Sequence, residues 1–547
     1  MKPIHLSPRS IAFSMLLMTA WMAQADPILT SWFTQNSSVL ARVIQGNGTS
    51  LPTTAVTTWP SAGVVNNNTG SASQSVPAYA DIQRIRYTST DVYINSSGLA
   101  SYIMGPWYGN TNKTSPWGFW PLARDYSTRI TRKPEIELLT KTKHPGGMIG
   151  MMVNGVAIYD LGDAFSFNQT ANSPVTGSDS TAGAGYWSRD ALAVEVVTFD
   201  QGFAHQPGIN GQYHYHAEPK ALRYQLGDNM KATYNATTNL NTYTEIDPTG
   251  TTTPLHHSPI LGWCFDGYPI YGPYGYTSAN NSSSSITRMR SGFVYRDGSY
   301  GTANLIITGR TTLPKWATIA QGYRSIENYK NTANLTVLGD YPLSASQYGP
   351  ATTYTTTAGP NTTRYTLGRY TGDYDFLGDN GYTQGVDFDL DQYNGRICVT
   401  PEYPSGTYAY FVTIDTSGNT VFPHLLGKEY YGKSNSANNA IVPSVATELF
   451  NGGPNTSLTV SGHPAVNSTN GNVTLVWNSV EGGTYKVEAS SNLTDWTVIA
   501  ASVAAASNAS TTSLIESVAA LPANHPKRFY RVARTSIAAY DPAYVGQ

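Results

Sequence analysis

Two histidines alternate with two tyrosines in one short stretch of the chain, Gly211-Gln212-Tyr213-His214-Tyr215-His216. Alternation with a period of two predicts a β-strand, in which neighbouring side chains point to opposite faces. His214 and His216 then share one face, with Cβ atoms about 6.5–7 Å apart, given the rise of about 3.3 Å per residue. Two imidazoles at this spacing can bind one transition-metal ion, zinc or copper, if a third ligand comes from elsewhere. The alternative is a half-buried strand whose histidines form only hydrogen bonds.

The third ligand of such a site is expected among residues near the strand. His205 is the closest candidate in sequence, His257 is its main rival, and Asp266 is a further candidate. Asp266-Gly267 is also typical of a tight turn, so the alternative is that the Asp266 carboxylate caps this turn and binds no metal. Three protein ligands leave one coordination position for water or substrate, which suits hydrolysis with zinc and, with nearby tyrosines, oxidation with copper.

A second hypothesis is a non-catalytic secreted protein that binds an extracellular small molecule, a glycan or a peptide. Trp107, Tyr268 and Tyr271 offer flat aromatic surfaces to such a partner. A third hypothesis makes the histidines purely structural, since buried polar groups are normally hydrogen-bonded. The sequence has no nucleophile elbow, P-loop or dinucleotide fingerprint at a strand–helix junction, which argues against serine hydrolase, kinase and nicotinamide chemistry.

Composition favours a β-rich extracellular protein. Only 12% of the 547 residues are charged and the formal net charge is -2, while the chain holds 38 tyrosines and 50 glycines. No basic patch indicates nucleic-acid binding. The length predicts two or three domains. Most segments have strand character, so the predicted fold class is mainly β with minor helix.

The first 25 residues have the pattern of a secretory signal peptide. A basic start with Lys2 and Arg9 precedes the apolar run Ile11–Met22, and Ala23-Gln24-Ala25 supplies a cleavage site. The apolar run is shorter than the ~20 residues that a membrane span needs. The mature protein is therefore expected to be secreted, periplasmic or on the cell surface, without a membrane span.

Strand and turn signals divide the rest of the chain. Asn154-Gly155 lies between two apolar runs and predicts a β-hairpin, and Trp187–Val196 is the best candidate for a short helix. The predicted parts are an extended arm (26–78), a large β-rich domain (79–432), a linker (433–465), a small β-sandwich (466–537) and a tail (538–547). Cys264 and Cys398 are the only cysteines, and the sequence leaves open whether they form a disulfide or remain two buried thiols.

The paired motifs of the large domain resemble those of the YHYH-domain proteins, exported bacterial proteins named for the tetrapeptide at 213–216. Pro259–Trp263, Asp266–Gly275, Asn154–Tyr159 and Glu402–Phe411 also match the family pattern. The resemblance covers roughly residues 79–432 and implies export and a β-rich domain, but it brings no established reaction. The C-terminal segment is similar to fibronectin type III modules of exported proteins.

Many members of that family carry a second motif like Gly-Tyr-His-Tyr-His near the end of the domain. The matching stretch here is Gly406–Phe411, in which Ala409 stands in the place of His214 and Phe411 in the place of His216. Asp200-Gln201 likewise has a counterpart in Asp391-Gln392. The sequence thus predicts two related halves, with the polar chemistry kept in the first half only.

Overall fold

The computed structural model describes residues 26–44, 54–59, 74–138, 141–142, 144, 147–168, 173–176, 187–206, 211–319, 341–353, 355–356, 363–517 and 527–540. The predicted signal peptide and residues 541–547 of the predicted tail lie outside these ranges. Within them the chain is mainly β, as its composition indicates, with a few short helices. No helix of the described part combines the length and the apolar character that crossing a membrane requires.

The helices and strands are short and numerous. The helices are α1 (Pro27–Thr30), α2 (Ala191–Glu195), α3 (Lys220–Gln225), α4 (Leu305–Thr308) and α5 (Lys315–Ile319). The strands are β1 (Ile82–Tyr87), β2 (Asp91–Ser96), β3 (Tyr126–Thr131), β4 (Met148–Met152), β5 (Ala157–Tyr159), β6 (Gly162–Asn168), β7 (Ser173–Thr176), β8 (Ser188–Asp190), β9 (His214–Tyr215), β10 (Met230–Asn235), β11 (Leu240–Glu245), β12 (Ile260–Cys264), β13 (Pro269–Tyr271), β14 (Tyr274–Tyr276), β15 (Ile286–Arg288), β16 (Phe293–Tyr295), β17 (Thr312–Leu313), β18 (Tyr341–Pro342), β19 (Thr355–Thr356), β20 (Thr363–Arg364), β21 (Tyr374–Phe376), β22 (Gly395–Cys398), β23 (Thr407–Phe411), β24 (Thr447–Asn451), β25 (Ala465–Val466), β26 (Val473–Asn478), β27 (Gly483–Ser490), β28 (Thr497–Ala504), β29 (Thr511–Glu516) and β30 (Phe529–Ile537).

A seven-stranded sheet in the order β22-β23-β13-β12-β4-β5-β9 forms the centre of the large domain. Its middle strands β4 and β12 are buried along their whole length. Strands covered on both faces are continuously apolar rather than alternating, which explains the run Met148–Met152. The predicted hairpin is present, since β4 pairs with β5 in antiparallel fashion around Asn154-Gly155. Gly155 has a φ of +80°, and a Cβ there would lie 2.4 Å from the Cβ of Ser96.

The central sheet is built from two related halves. Each half is an antiparallel hairpin joined at its outer strand to a parallel strand, with β4, β5 and β9 in the first half and β12, β13 and β23 in the second. Ile158 pairs with Tyr215 in one half, and Ile270 pairs with Tyr410 in the other. This register matches the alignment of the two tyrosine motifs, so the prediction of two halves is confirmed.

The two halves also share a tyrosine–carboxylate pair. The Tyr213 hydroxyl donates to Asp200 over 2.8 Å, and the Tyr408 hydroxyl donates to Asp391 over 2.9 Å. Burial raises the pKa of Asp200 and of Asp391, each to about 7. The correspondence of Asp200 with Asp391 in the sequence therefore reflects one structural feature that occurs in both halves.

A second sheet, β24-β1-β2-β3, corrects the predicted linker. Strand β24 lies inside 433–465 and pairs with β1, while Ala437 bridges Arg129 of β3. The Ser- and Asn-rich composition of this segment reflects an exposed edge strand and loops, not a free connection. The first residues of the predicted arm lie against the large domain as expected, with Trp32 and Phe33 buried in its core.

The C-terminal segment forms two three-stranded sheets, β25-β26-β29 and β28-β27-β30. Alternate residues of β26 are buried, which is the pattern expected of a strand covered on one face. Leu475, Trp477, Tyr485 and Val487 form its apolar core. The two cysteines of the large domain remain free thiols, and both are buried.

Candidate metal centre

Three imidazoles converge beside strand β9. One ring nitrogen from each of His205, His214 and His216 lies within 4.8 Å of the corresponding atoms of the other two. All three side chains are buried, with 5%, 2% and 5% of their surface exposed, respectively. The structure thus places His205 with the two histidines of the alternating motif.

Local backbone structure explains this convergence. The extended chain at His214 sends His214 and His216 to one face, while the hydroxyls of Tyr213 and Tyr215 meet that of Tyr102 on the other. His205 and His214 form an antiparallel bridge, with backbone hydrogen bonds of 3.2 and 2.8 Å. Opposite residues of such a pair have neighbouring side chains on the same face. The strand pairing itself therefore brings the third imidazole to the other two.

Asp200 shapes the loop that carries His205. Its Oδ1 accepts backbone hydrogen bonds from Gly202 over 2.8 Å and from Ala204 over 3.2 Å. Its Oδ2 accepts the hydroxyl of Tyr213, which belongs to the histidine-bearing segment. One buried carboxylate thus fixes the position of the loop relative to the segment that contains the other two histidines.

The Nδ1 atom of each imidazole is held by an oxygen. Nδ1 of His214 donates to the Gln212 carbonyl over 2.7 Å, and Nδ1 of His216 donates to the Asp160 carbonyl over 2.7 Å. Nδ1 of His205 lies 2.6 Å from the Thr198 hydroxyl, which itself donates to the Glu195 carbonyl. Carbonyl oxygens only accept, and the Thr198 hydroxyl has already donated its proton to Glu195, so these contacts place the proton on Nδ1 and leave an Nε2 lone pair on each neutral ring.

The Nε2 atoms of His214 and His216 face each other at 3.0 Å. With both Nδ1 protons donated elsewhere, two neutral rings would oppose lone pair to lone pair at this distance. A shared cation, or a proton on one of the rings, is needed to make the contact favourable. Burial first, and then the neighbouring His205 and His216, hold the pKa of His214 well below its ordinary value. The lowered pKa disfavours a proton on the His214 ring.

Glu195 completes the cluster, although no sequence motif indicated a role for it. Its Oε2 lies 3.4 Å from Nε2 of His205 and 3.2 Å from Nε2 of His216. Apart from these imidazoles, that buried oxygen has no hydrogen-bond partner among the described residues. Glu195 is the last residue of α2, whose start is capped by the Asp190 side chain. The predicted helix over Trp187–Val196 includes Glu195, but no motif distinguished its carboxylate from a solvent-exposed one.

Burial and neighbouring charges shift the pKa values of this cluster in opposite directions. Burial lowers the pKa of His205, although the charge of Glu195 opposes this shift. For Glu195, burial raises the pKa, but attraction to His205 and His216 outweighs it and keeps the pKa well below its usual range. Burial therefore favours the neutral form of His205 and His214, and Glu195 keeps an ionised carboxylate, which are the protonation states that metal binding requires.

Aromatic rings enclose the cluster. The Tyr159 ring stacks on His214 with centroids 3.8 Å apart and planes inclined by 17°. The Phe199 ring lies 4.8 Å from that of His205. These contacts restrict the imidazole rotamers and lower the local dielectric, which strengthens electrostatic interactions within the cluster.

His257, the predicted rival for the third ligand, does not belong to this cluster. Its ring lies 5.2 Å from Tyr271 and 5.0 Å from Tyr276, and its Nδ1 donates to the Ser258 carbonyl. It is instead part of the second half of the sheet, near the Phe411 ring that stands in the place of His216. In that half Arg396 pairs with Ala409 as His205 pairs with His214. Three imidazoles of the first half thus correspond to Arg396, Ala409 and Phe411 in the second.

Asp266, the further candidate, has a turn-capping and bridging role. Its Oδ1 accepts the Tyr268 backbone N–H, and its Oδ2 accepts the Tyr410 hydroxyl over 2.6 Å and the Gly432 N–H over 2.8 Å. Asp266 corresponds to Asn154 in the first half, at the same position of the hairpin. Its carboxylate is used by the turn and by the strand beside it, so it is not a fourth member of the histidine cluster.

The three aromatic side chains predicted to bind substrate are buried. Trp107, Tyr268 and Tyr271 expose 4%, 8% and 0% of their surface. Trp107 donates from its indole to the Ala204 carbonyl, and Tyr271 donates to Glu402. Their rings contribute to the core of the large domain and do not form an accessible aromatic surface.

A family model described as YHYH protein matches residues 127–422, more than half of the 547-residue chain. The matched range contains the three histidines, Glu195 and both halves of the central sheet. Neither the curated proteins nor the solved structures gave a match.

Proposed function

We propose that this chain, which belongs to the YHYH protein family, binds one transition-metal ion through Nε2 of His205, His214 and His216, with Glu195 as fourth ligand. The observation that carries the proposal is the 3.0 Å contact between the Nε2 atoms of His214 and His216, whose Nδ1 protons are donated to carbonyls. A metal ion removes the repulsion between these lone pairs and uses the buried Glu195 oxygen.

The donor set suits zinc or copper. Imidazole nitrogens bind zinc, copper, iron and nickel, and a single carboxylate is compatible with all of them. Each ligating ring also donates its other N–H to an oxygen, the arrangement that orients histidines in metal sites. When bound, the ion would supply a fixed positive charge and a Lewis acid next to the aromatic rings that enclose the cluster. Hydrolytic or oxidative chemistry at the site would require that Glu195 leave one coordination position of the ion open.

Metal content of the purified mature protein tests the proposal. Elemental analysis is expected to give about one zinc or copper per chain, and the chelated protein should take up one equivalent of Zn²⁺ or Cu²⁺ in a titration. Protein that holds no metal when purified, and that binds neither ion in the titration, would overturn the proposal and leave a buried imidazolium–carboxylate cluster.

Replacing Thr198 with valine should weaken metal binding without removing it. The change keeps the side-chain shape but deletes the hydroxyl 2.6 Å from Nδ1 of His205. Loss of a group that orients a ligand typically costs about 10–100-fold in metal affinity. Competition with a chelator of known affinity measures the effect.

Thr400→Val is a matched control, because Thr400 is also buried and also bonds an aromatic side chain, the Tyr271 hydroxyl, outside the cluster. Its metal affinity should equal that of the wild type. Equal affinities for the wild type and both variants would contradict the role of Thr198.

Metal retention should persist into mildly acidic buffer. Protons compete with the metal for Nε2 only below the folded-state pKa of the imidazoles, and burial lowers that pKa for His205 and His214 from 6.5. In the metal-free protein, the lowered pKa values mean that the unfolded chain takes up protons at a higher pH than the folded protein does. These two histidines therefore contribute stability above pH 6.5, and that contribution is lost as the pH falls through the folded-state pKa. Metal content after dialysis is therefore expected to be the same at pH 8 and pH 6, whereas release centred at pH 6.5 or above would contradict this.

The location of the protein and the type of its C-terminal module are further parts of the proposal. Cleavage of the predicted signal peptide after Ala25 would leave Asp26 at the N-terminus, where its side chain pairs with Arg132 and caps α1. The two C-terminal sheets support a fibronectin type III-like module over 466–537. Sequencing the N-terminus of the exported protein tests the cleavage site.

A further inference from the structure

A second site lies on the large domain, apart from the four side chains of the histidine cluster. It is a cleft of about 740 Å³ bordered by β16, the loop 366–369 and the hairpin 414–424. This volume falls within the range of about 300–1,000 Å³ that is usual for small-molecule sites. None of His205, His214, His216 and Glu195 lines it.

A histidine–aspartate pair forms part of the cleft wall. Nε2 of His424 lies 3.0 and 3.1 Å from the two oxygens of Asp190, and both side chains are buried. The ring donates from Nε2 to the carboxylate, and its buried Nδ1 has no hydrogen-bond partner among the described residues. An unsatisfied buried polar atom is costly. A ligand hydroxyl in the cleft would satisfy it.

The backbone at His424 supports a role beyond packing. Its φ is +71°, a region that residues other than glycine seldom occupy. Such conformations cost about 1–3 kcal/mol and cluster at functional sites. The strained residue is the one that carries the unpaired ring nitrogen.

Exposed aromatic rings stand at the edge of the cleft. Tyr295 and Tyr300 line it and expose 48% and 53% of their surface. Tyr295 stacks on the buried Tyr374 with centroids 5.0 Å apart, which fixes its ring as a flat platform. The apolar faces of sugar rings stack on such platforms, while their hydroxyls need polar groups nearby.

The charges of the cleft are balanced. Its lining includes three carboxylates and three guanidinium groups, namely Asp190, Asp297, Asp415, Arg288, Arg290 and Arg369. Arg290 is already paired with Asp389, and Asp297 and Asp415 accept backbone hydrogen bonds from their own loops. A lining without excess charge fits a neutral ligand rich in hydroxyl groups better than it fits an anion.

From these observations we infer that the cleft binds a neutral oligosaccharide, with sugar rings on Tyr295 and Tyr300 and a hydroxyl hydrogen-bonded to Nδ1 of His424. The inference is independent of the metal proposal, because the two sites share no side chain. It replaces the buried aromatic residues Trp107, Tyr268 and Tyr271 with an accessible surface elsewhere in the fold.

Calorimetric titration of the full mature chain tests the inference with cello-, xylo-, malto- and chito-hexaose as neutral probes and oligogalacturonate as the acidic one. At least one neutral probe is expected to bind. Tyr300→Ala should weaken that binding at least 10-fold, whereas Tyr234→Ala should leave it unchanged, because Tyr234 is exposed to a similar degree, 58% against 53%, and does not line the cleft.

His424→Gln is the second variant, since its amide can still donate to Asp190 but the variant lacks the ring Nδ1. It should lose at least 10-fold in affinity while keeping the metal content of the wild type. Binding of none of the neutral probes, a preference for oligogalacturonate, or wild-type affinity in both variants would overturn the inference.

Discussion

Replacing His214 with alanine is expected to abolish metal binding, with a loss in affinity of more than about 100-fold, because removing only an orienting partner already costs about 10–100-fold. His214 contributes the Nε2 atom that lies 3.0 Å from that of His216, and Tyr159 stacks on its ring. His216→Ala should have the same effect. Elemental analysis and chelator competition on the purified variants measure it.

The folded structure should survive these changes, since the backbone pairing of His205 with His214 does not depend on the imidazole. Far-ultraviolet circular dichroism is expected to match the wild type. His257→Ala is the control, because His257 lies among Tyr271, Tyr276 and Phe411 in the other half of the sheet and should leave metal content unchanged. Equal metal content in His214→Ala and the wild type would exclude the site.

Glu195→Gln separates the fourth ligand from the other three. The amide keeps the size of the side chain but removes the charge that lies 3.2 Å from Nε2 of His216. One equivalent of metal bound with reduced affinity identifies Glu195 as a ligand. Unchanged affinity would leave the three imidazoles as the whole protein contribution and an open position on the ion.

The alternation of tyrosine and histidine was sufficient to predict which side chains share a face. Period-two patterns fix the face of every residue once the strand exists, because the pleat alternates strictly. The Asn154-Gly155 turn was likewise predictable, since few residues other than asparagine and glycine adopt the required backbone conformation. These local rules placed His214 with His216 correctly.

Local rules could not identify the remaining members of the cluster. His205 is closer than His257 to the strand in sequence, but sequence separation does not decide which ring reaches it, and the bridge between His205 and His214 is a tertiary contact. Glu195 lies at the end of a five-residue helix, where a glutamate is ordinarily exposed. The positions of His205 and Glu195 both depend on how the loop containing Asp200 folds back on the strand. This is a tertiary contact, and no periodic pattern in the sequence indicates it.

The similarity between the two halves of the chain predicted more of the fold than any single motif did. Aligning 406–411 with 211–216 correctly predicted that the two stretches occupy related positions; the structure adds that β9 and β23 each pair in parallel with a hairpin, and that Tyr213 pairs with Asp200 as Tyr408 pairs with Asp391. Composition was a poorer guide at 433–465, because an edge strand exposed to solvent has the polar residues of a linker. Pairing partners far away in sequence decide such cases.

Replacing Arg223 with methionine should cost about 3–5 kcal/mol of folding stability, the usual effect of leaving buried charges without their partner. Arg223 lies on α3, directly after the histidine-bearing strand, and its side chain is fully buried. It donates to Asp228 over 2.6 Å, to Glu218 over 2.6 Å and to Glu245. Burial lowers the pKa of Arg223, but these three carboxylates outweigh it and hold the pKa well above its usual range.

Arg531→Met is the matched control for Arg223→Met. Arg531 also pairs with a carboxylate, that of Glu488 at 2.8 Å, but half of its side chain is exposed, and such pairs contribute at most about 1 kcal/mol. The urea midpoint of the domain that carries the substituted arginine, followed by tryptophan fluorescence, should fall for Arg223→Met in the large domain and stay within error for Arg531→Met in the C-terminal module.

The pH dependence of the Arg223→Met deficit gives an independent check. Burial already raises the pKa of Glu245 in the folded protein, and removing the guanidinium removes the attraction that opposes this shift. Protonation then stabilises the folded variant, so its deficit should be smaller at pH 5 than at pH 8. A deficit that is equal at both pH values would show that lost packing of the arginine side chain, rather than uncompensated charge, determines the effect.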